Sequence, residues 1–261
     1  MKRAPTLREW LAEEPFGLTL SAGFFAFYAH AGMLSVLEEE GLLPRRLSGA
    51  SAGALVAGLW AAGMDSRALR DELLRLRRED FWDPALGPGL LRGRLFRARL
   101  EALLPVLTFE QCRARLAVSA FDLLSRRTRV LSAGALAPAL CASCALPGLF
   151  RPVWVEGRPF LDGGVADRPG LAGMPTGSRV LYHLITSRSP WRRKGSAALS
   201  VPELDGAITL ALTGLARVNP FRLDRGAAAF EQARSGTLRA LDQPLEGRAV
   251  RVAVNSHGRT G

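Results

Sequence analysis

Short apolar runs alternate with longer helical segments through the first hundred residues, and turn residues separate them. The pattern predicts strands at 16–20 and 45–48 and helices at 28–40 and 52–62. We expect Gly41 to end the helix at 28–40, because a glycine after the last helical residue adopts the left-handed conformation that closes helices. Strands that alternate with helices imply a parallel sheet with helices on both of its faces.

The rest of the chain continues as a mixture of helices and strands. Helices are expected at 66–78, 94–104, 138–149, 205–218 and 224–241. Strands are expected at 116–124, 128–132, 180–186 and 249–254, with a hairpin at 153–160 that turns at Glu156 and Gly157 and a polar loop at 187–202. We find no linker and no internal repeat, so we expect a single domain over 1–261. Its predicted fold class is a three-layer α/β/α architecture with a mainly parallel central sheet.

Two uncharged stretches, 15–37 and 47–64, reach the length of about 18 residues at which a membrane-spanning helix is considered. Turn residues interrupt both stretches. A buried strand that leads into a buried helix has the same composition, because a parallel sheet is covered on both faces. We therefore interpret both as strand–helix units of a soluble protein. No apolar segment of the secretory type follows the basic residues at the start of the chain.

Composition and charge narrow the class of protein. Apolar residues make up 48% of the chain and charged residues 23%, which excludes a disordered or collagen-like protein. Three cysteines are an odd number and do not form a disulfide framework, which indicates a reducing compartment such as the cytoplasm. The net charge of +11 favours an anionic partner, unless it reflects arginine usage alone. Nucleic acid is not expected, because no basic motif of a known binding fold is interleaved with aromatic residues.

Gly49-x-Ser51-x-Gly53 lies between a predicted strand and a predicted helix of small residues. Such a tight turn lifts a serine hydroxyl out of the sheet, and the two glycines remove Cβ atoms that would clash there. The hydroxyl would then lie at a helix N-terminus, where free N–H groups favour developing negative charge. The motif indicates a candidate nucleophile at Ser51.

A serine nucleophile needs a base, and the chain has three histidines. His30 precedes the serine, His257 lies in a polar tail, and His183 lies in a predicted strand, where a core histidine is the ordinary interpretation. Asp162 ends a strand and is followed by Gly163 and Gly164. Its carboxylate lies on a turn with little steric cover, so Asp162 is the better candidate base, or it forms an Asx turn with the backbone N–H two residues later.

Three other features have both a functional and an ordinary interpretation. The Ser21-Ala22-Gly23 turn offers backbone N–H groups to an oxyanion, or is an ordinary turn. The Cys141-x-x-Cys144 pair has no second Cys/His pair to complete a zinc site, so we expect no metal and two thiols on a helix. The segment 92–99, in which Leu95 and Phe96 lie among arginines, is the preferred contact with an anionic membrane, or is a solvated surface. In the helix predicted at 94–104, Leu95, Leu100, Leu103 and Leu104 are expected to face inward.

Together these features resemble the patatin-like phospholipase family. The likeness rests on 18–37 with its His30-Ala31-Gly32 pattern, on the GASAG segment at 49–53, on 142–153 and on the DGGVAD segment at 162–167. The resemblance implies a three-layer α/β fold and hydrolysis of lipid acyl esters, without a metal or an organic cofactor. It implies a dyad in which Ser51 is the nucleophile and Asp162 is the base, with Gly49, Gly53, Gly163 and Gly164 as motif glycines. It also implies an oxyanion hole made by the backbone N–H groups of Gly23, Phe24 and Ala52.

The first loop departs from the family pattern. Many members have consecutive glycines followed by a basic residue, whereas this chain has Ala22, Phe24, Ala26 and Phe27 at the matching positions. We expect Phe24, Phe25 and Phe27 either to line an acyl-chain groove or, as is more common for such residues, to pack in the core. The resemblance leaves the lipid head group, the chain length, the role of 171–261 and the oligomeric state open.

Three hypotheses follow. The first is a serine acyl hydrolase that uses Ser51 and Asp162, cytoplasmic or peripherally bound to a membrane. The second is an α/β-hydrolase that uses His183 as its base. The third is a lipid- or membrane-binding protein with an impaired site, which the altered first loop would explain.

Overall fold

The computed structural model describes residues 3–185 and 205–254. Within these ranges the chain forms seven α-helices and nine strands. The helices are α1 Leu7–Glu13, α2 Phe27–Glu39, α3 Ala52–Ala61, α4 Ser66–Arg75, α5 Arg94–Leu103, α6 Leu136–Ser143 and α7 Gly226–Leu241. The strands are β1 Gly17–Leu20, β2 Arg46–Ala50, β3 Arg115–Asp122, β4 Arg127–Leu131, β5 Val153–Val155, β6 Arg158–Asp162, β7 Val180–Ile185, β8 Ala207–Thr213 and β9 Ala249–Ala253.

These strands form one mixed sheet with helices on both sides, in the order β5-β6-β3-β2-β1-β7-β8-β9, and β4 pairs with β3. Six consecutive strands of this order are mutually parallel, namely β3, β2, β1, β7, β8 and β9. The pairings of β4 with β3, β6 with β3 and β5 with β6 are antiparallel. The predicted fold class, with its mainly parallel central sheet, is confirmed.

The central strands and α2 form the core. All residues of β1 and β7 are buried, and α2 is buried from Phe27 to Leu37, where it packs against α4 and α7. Gly41 has a φ of 69° directly after α2, so it ends this helix as predicted. No helix in the described ranges has the eighteen residues and the apolar composition that would let it cross a membrane.

One predicted helix is wrong. The segment 205–218 contains the strand β8, which is buried between β7 and β9 and pairs in parallel with both. Periodicity does not distinguish a fully buried strand from a buried helix, since both are continuous apolar runs. Ile208 and Thr209 are β-branched and favour the strand.

Smaller differences concern helix boundaries and burial. The helix predicted at 138–149 is α6, which ends at Ser143 and is followed by turns up to Phe150. Pro147 disfavours a helical conformation for the residue before it, so this sequence does not sustain the longer helix. The helix predicted at 66–78 ends at Arg75. Leu95 is 42% exposed and does not face inward, whereas Leu100 and Leu104 are buried as predicted. The predicted loop at 187–202 lies outside the described residues.

The pairing of β3 brings two strand ends together. Ala50, the last residue of β2, pairs with Ser119, while Asp162, the last residue of β6, pairs with the next residue, Ala120. Because β2 runs parallel to β3 and β6 runs antiparallel to it, the two strands approach from opposite directions. Ser51 and Asp162 are therefore neighbours although they are distant in the sequence.

Candidate active site

Ser51 occupies a strained turn between β2 and α3. It is the N-cap residue of α3, its backbone has φ 54° and ψ −124°, and its side chain is partly exposed. A positive φ at a non-glycine residue costs about 1 to 3 kcal/mol and persists only where the surrounding structure enforces it. This is the sharp strand-to-helix turn that the motif predicts.

Both glycines of the motif are required by close packing. A Cβ atom on Gly53 would lie 2.1 Å from the carbonyl oxygen of Leu20, at the end of β1. A Cβ atom on Gly49 would lie 2.7 Å from the backbone nitrogen of Ala54. The two positions therefore accept no side chain, and α3 starts directly against the ends of β1 and β2.

The end of α6 holds the Ser51 peptide. The Ser51 N–H donates to Ser143 Oγ over 2.9 Å, and Ser143 Oγ–H donates to the Ser119 carbonyl oxygen over 2.7 Å. The Cys144 thiol donates to the Ser51 carbonyl oxygen over 3.3 Å. Ser143 is fully buried, so its hydroxyl connects Ser51 to β3 without competition from solvent. Sequence reasoning did not single out Ser143, although it lies inside the segment 142–153 that carries the family likeness.

Asp162 is a buried carboxyl whose environment favours its neutral form. Its Oδ1 accepts a hydrogen bond of 2.7 Å from the Gly164 N–H, so the Asx turn is present. Burial raises the pKa of Asp162 to about 6, against the opposing effects of the Ser51 hydroxyl and the Gly164 N–H. The Ser51 hydroxyl thus approaches the carboxyl closely enough to lower its pKa. Asp162 Oδ2, however, is buried and accepts no hydrogen bond from any described residue.

The two glycines after Asp162 let this turn pack tightly. A Cβ atom on Gly163 would lie 2.0 Å from the Ser119 carbonyl oxygen, and one on Gly164 would lie 2.6 Å from Ala22 Cβ. The Asp162 turn is therefore packed between β3 and the loop that follows β1. Asp167, which sequence reasoning did not select, closes this region by accepting from the Ser119 hydroxyl over 2.6 Å and from the backbone N–H groups of 170–172.

The first loop presents backbone donors beside this turn. The N–H groups of Gly23 and Phe24 donate to no residue in the described part of the chain, whereas that of Ala22 donates to the Arg168 carbonyl oxygen. Ala52 begins α3, where a helical N–H has no intrahelical acceptor. Phe24 is 43% exposed and Phe27 is buried, so only Phe27 packs fully in the core. The assignment of these donors to an oxyanion hole remains a prediction.

The histidines form a sealed pair. His30 and His183 are fully buried, and their Nδ1 atoms are 2.9 Å apart. His30 Nε2 lies 2.8 Å from the Ser21 carbonyl oxygen. Burial lowers the pKa of His30 to about 4 and that of His183 well below its usual value, so both rings are neutral near pH 7. No described hydrogen bond joins His183 to Ser51. His257 lies outside the described residues.

The thiols lie near the site and are protonated. Burial raises the pKa of Cys141 to about 12 and holds that of Cys144 well above its usual value. Within 3–185 and 205–254, no group of three or more His, Cys, Asp or Glu side chains is arranged to bind a metal ion.

Residues 18–173 match the sequence model of the family described as patatin-like phospholipase. The chain belongs to the patatin-like phospholipase family. This stretch contains Ser51, Asp162 and the first loop, and at the level of the family it supports hydrolysis of lipid esters.

Individual relatives cover parts of the chain. An uncharacterized NTE family protein of Mycobacterium tuberculosis and one of Mycobacterium bovis are each 32% identical over 158 residues, which are 58% of this chain and 42% of each relative. The lysophospholipase nte1 of Emericella nidulans is 28% identical over 174 residues, which are 64% of this chain and 11% of that protein. The matched region thus spans less than half the length of these relatives.

The fold has a counterpart among solved structures. VipD from Legionella pneumophila superimposes with a TM-score of 0.65 at 17% sequence identity, over 88% of this chain and 67% of that chain. At this identity the likeness concerns the fold alone, and it agrees with the mixed sheet described above.

Proposed function

We propose that this protein hydrolyses acyl esters of lipids with Ser51 as nucleophile and Asp162 as general base. The observation that supports this proposal is that β2 and β6 end at adjacent residues of β3, which brings a partly exposed serine on a strained turn next to a buried carboxyl whose pKa is raised to about 6. A base with such a pKa is ionised at pH 7 and still accepts a proton readily. The name of the lysophospholipase nte1 supports a lipid ester as substrate.

The chemistry divides into two half-reactions. Asp162 takes the proton of Ser51 Oγ as this oxygen attacks the ester carbonyl carbon, and the bond to the alcohol breaks when the tetrahedral intermediate collapses. The departing alcohol takes the proton from Asp162, and an acyl-Ser51 ester remains. Asp162 then deprotonates a water molecule that attacks this ester, and the carboxylic acid leaves as Ser51 regains its proton.

Backbone donors would stabilise both tetrahedral intermediates. The N–H groups of Gly23, Phe24 and Ala52 are the candidates, because they have no described acceptor and flank the Ser51–Asp162 contact. The loss of one oxyanion donor typically costs about 3 to 4 kcal/mol of transition-state stabilisation. The Ser51 N–H does not serve here, since it is bonded to Ser143.

The direct test is covalent labelling with a fluorophosphonate probe. We expect the wild-type protein to be labelled at Ser51 and to release acyl groups from a panel of lipid esters. The Ser51→Ala variant should lose both, whereas Ser235→Ala, which removes an exposed serine on α7, should lose neither. Folded wild-type protein that stays unlabelled would argue strongly against a nucleophilic Ser51.

The altered first loop favours a second candidate function, a lipid-binding protein whose site is impaired. This candidate predicts vesicle binding without acyl release from any lipid of the panel. The use of His183 as base receives no support from its position, because the ring is sealed in the core and bonded to His30.

A further inference from the structure

Several loops surround Ser51 at one edge of the sheet. The parallel strands β1, β2, β7, β8 and β9 end on the same side, so the loop 21–26 after β1 and the segment 214–222 after β8 lie at the edge where Ser51 follows β2. Ligands of open parallel sheets bind at this carboxyl edge. The opposite edge is where Leu43 and Arg45 precede β2.

Aromatic side chains form a connected row at the carboxyl edge. Phe24 in the first loop contacts Phe25, with 4.9 Å between ring centroids, and Phe25 contacts Phe81 at 6.0 Å. Trp82, the next residue, contacts Phe221 at 6.0 Å. Phe221 is 69% exposed, so the row begins beside the candidate site and ends in solvent.

The loop 84–91 adds two leucines to the same edge. Leu86 is 98% exposed and Leu90 is 48% exposed. The Leu90 N–H donates to the Gly148 carbonyl oxygen over 3.1 Å, and Gly148 is four residues beyond Cys144, whose thiol bonds to Ser51. Four residues span at most about 14 Å, so the Leu90 end of this loop is tied to the short segment that begins at Cys144, next to the candidate site.

Exposed arginines accompany these apolar side chains. The guanidinium of Arg78 lies 5.8 Å from the Trp82 ring and 5.6 Å from the Phe221 ring. Arg92 and Arg94 are exposed and form no ion pair with any described residue. Further along α5, Arg97 pairs with Glu101, so only the first part of the sequence-predicted basic segment has unpaired charge.

We propose that this edge docks onto the surface of an anionic lipid bilayer, with Leu86, Leu90 and Phe221 inserted among the lipids and Arg92 and Arg94 at the phosphate groups. We call these five residues the docking rim. Exposed apolar tips next to unpaired cations are complementary to an apolar interior under an anionic surface. A second copy of the chain is a poorer occupant, because two rims of like charge repel each other. The purpose of docking, which is to bring lipid esters to Ser51, rests on the proposed function.

The experiment measures vesicle binding apart from catalysis. The binding of Ser51→Ala protein to phosphatidylcholine vesicles with and without phosphatidylglycerol is followed by flotation. Leu86→Asp, Leu90→Asp and Phe221→Asp should each weaken binding about tenfold, because each removes one apolar side chain from the bilayer. Arg92→Glu and Arg94→Glu should each weaken binding to the anionic vesicles about fivefold or more, and added salt should weaken the binding of the parent protein.

Matched controls lie on the opposite edge. Leu43, 50% exposed, matches Leu90, and the exposed Arg45 matches Arg92, so Leu43→Asp and Arg45→Glu should bind like the parent protein. Rim variants that bind like these controls would overturn the proposal, as would equal binding of the parent to neutral and anionic vesicles. A concentration-dependent dimer that the rim variants abolish would assign the surface to a second copy instead.

Failure of the proposed function has a different signature. If wild-type protein binds anionic vesicles through the rim but hydrolyses neither vesicle lipids nor a soluble short-chain ester, docking stands and the hydrolase proposal falls. If it hydrolyses the soluble ester and the rim variants bind vesicles normally, the hydrolase proposal stands and the docking surface is wrong.

Discussion

The pair Ser51–Asp162 and the pair His30–His183 both contain buried titratable groups, and burial shifts the pKa values of these groups in opposite directions. It raises the pKa of Asp162 to about 6 and lowers that of His30 to about 4, because in both cases the charged form is disfavoured. The pKa of the Asp162 carboxyl therefore lies closer to neutral pH, while the rings of His30 and His183 stay uncharged. Ser51 reaches solvent, whereas both histidine rings are fully buried. Of these two pairs, only Ser51–Asp162 combines a carboxyl whose pKa lies near neutrality with a side chain that reaches solvent.

The pairs also differ in how firmly the backbone holds them. Ser51 has a positive φ that Ser143 and Cys144 stabilise from the end of α6. The histidines lie on a regular helix and a regular strand, α2 and β7. Backbone strain is common at functional sites and is not expected at an ordinary core contact. The strained turn at Ser51 and the regular backbone at both histidines fit this distinction.

The largest expected effect is a loss of activity when the Ser51–Asp162 pair, rather than the histidine pair, is changed. Asp162→Asn removes the proposed base and should lower the rate of Ser51 labelling and of ester hydrolysis about a thousandfold. The initial rates are measured at pH 7.5 with the variant at matched concentration. Activity within tenfold of wild type would show that another group takes the Ser51 proton.

The same substitution should stabilise the fold above neutral pH. Because the folded state raises the pKa of Asp162, this group contributes stability that is present below about pH 4 and is lost as the pH rises through about 6. Asn carries no charge to bury, so Asp162→Asn should gain about 2 to 3 kcal/mol of unfolding free energy at pH 8 and little at pH 4. Urea titrations at both pH values measure the difference, and an equal gain at both would contradict the raised pKa.

Ser143→Ala should slow Ser51 acylation about ten- to hundredfold. The substitution leaves the Ser51 N–H and the Ser119 carbonyl oxygen without their buried partner, at a cost of about 1 to 3 kcal/mol. The effect should appear in kcat more than in KM, because the strained turn loses its support. Ser35→Ala, which removes a buried serine on α2, provides the control and should destabilise the fold without this loss of kcat.

The pH profile should show one rising limb. The rate of labelling should increase about tenfold per pH unit up to about pH 6 and level off above it, because Asp162 accepts the serine proton only when it is ionised. Labelling rates between about pH 4.5 and 8 provide the measurement. A midpoint near 7 that disappears in His183→Asn would support a histidine base instead.

The smallest expected effect on activity concerns the histidine pair. His183→Asn should keep hydrolysis within about threefold of wild type but lower the free energy of unfolding by about 1 to 3 kcal/mol, because it disturbs a packed, hydrogen-bonded contact. Thermal unfolding and ester turnover are compared on the same preparation. A loss of activity larger than the loss of folded protein would place His183 in the mechanism.

Local sequence patterns were sufficient to predict most elements and to select Ser51 and Asp162 as the candidate site residues. The glycines around Ser51 were recognisable because the need for a missing Cβ is local to a tight turn. The end of α2 at Gly41 was recognisable for the same reason. Periodicity failed at 205–218, because β8 is covered on both faces and its apolar run has no alternation. Ser143 was not selected, since its role depends on contacts with β3 and with the start of α3.

The amino-acid sequence by itself determined most of the strands and helices other than β8, the tight serine turn and the Asp-Gly-Gly turn, because each depends on neighbours within a few residues. The tertiary structure decided that Ser51 and Asp162 meet. That contact requires β2 and β6 to end at adjacent residues of β3, and no local pattern encodes such a register. It also decided the pKa of Asp162, which is a property of the buried environment rather than of the residue.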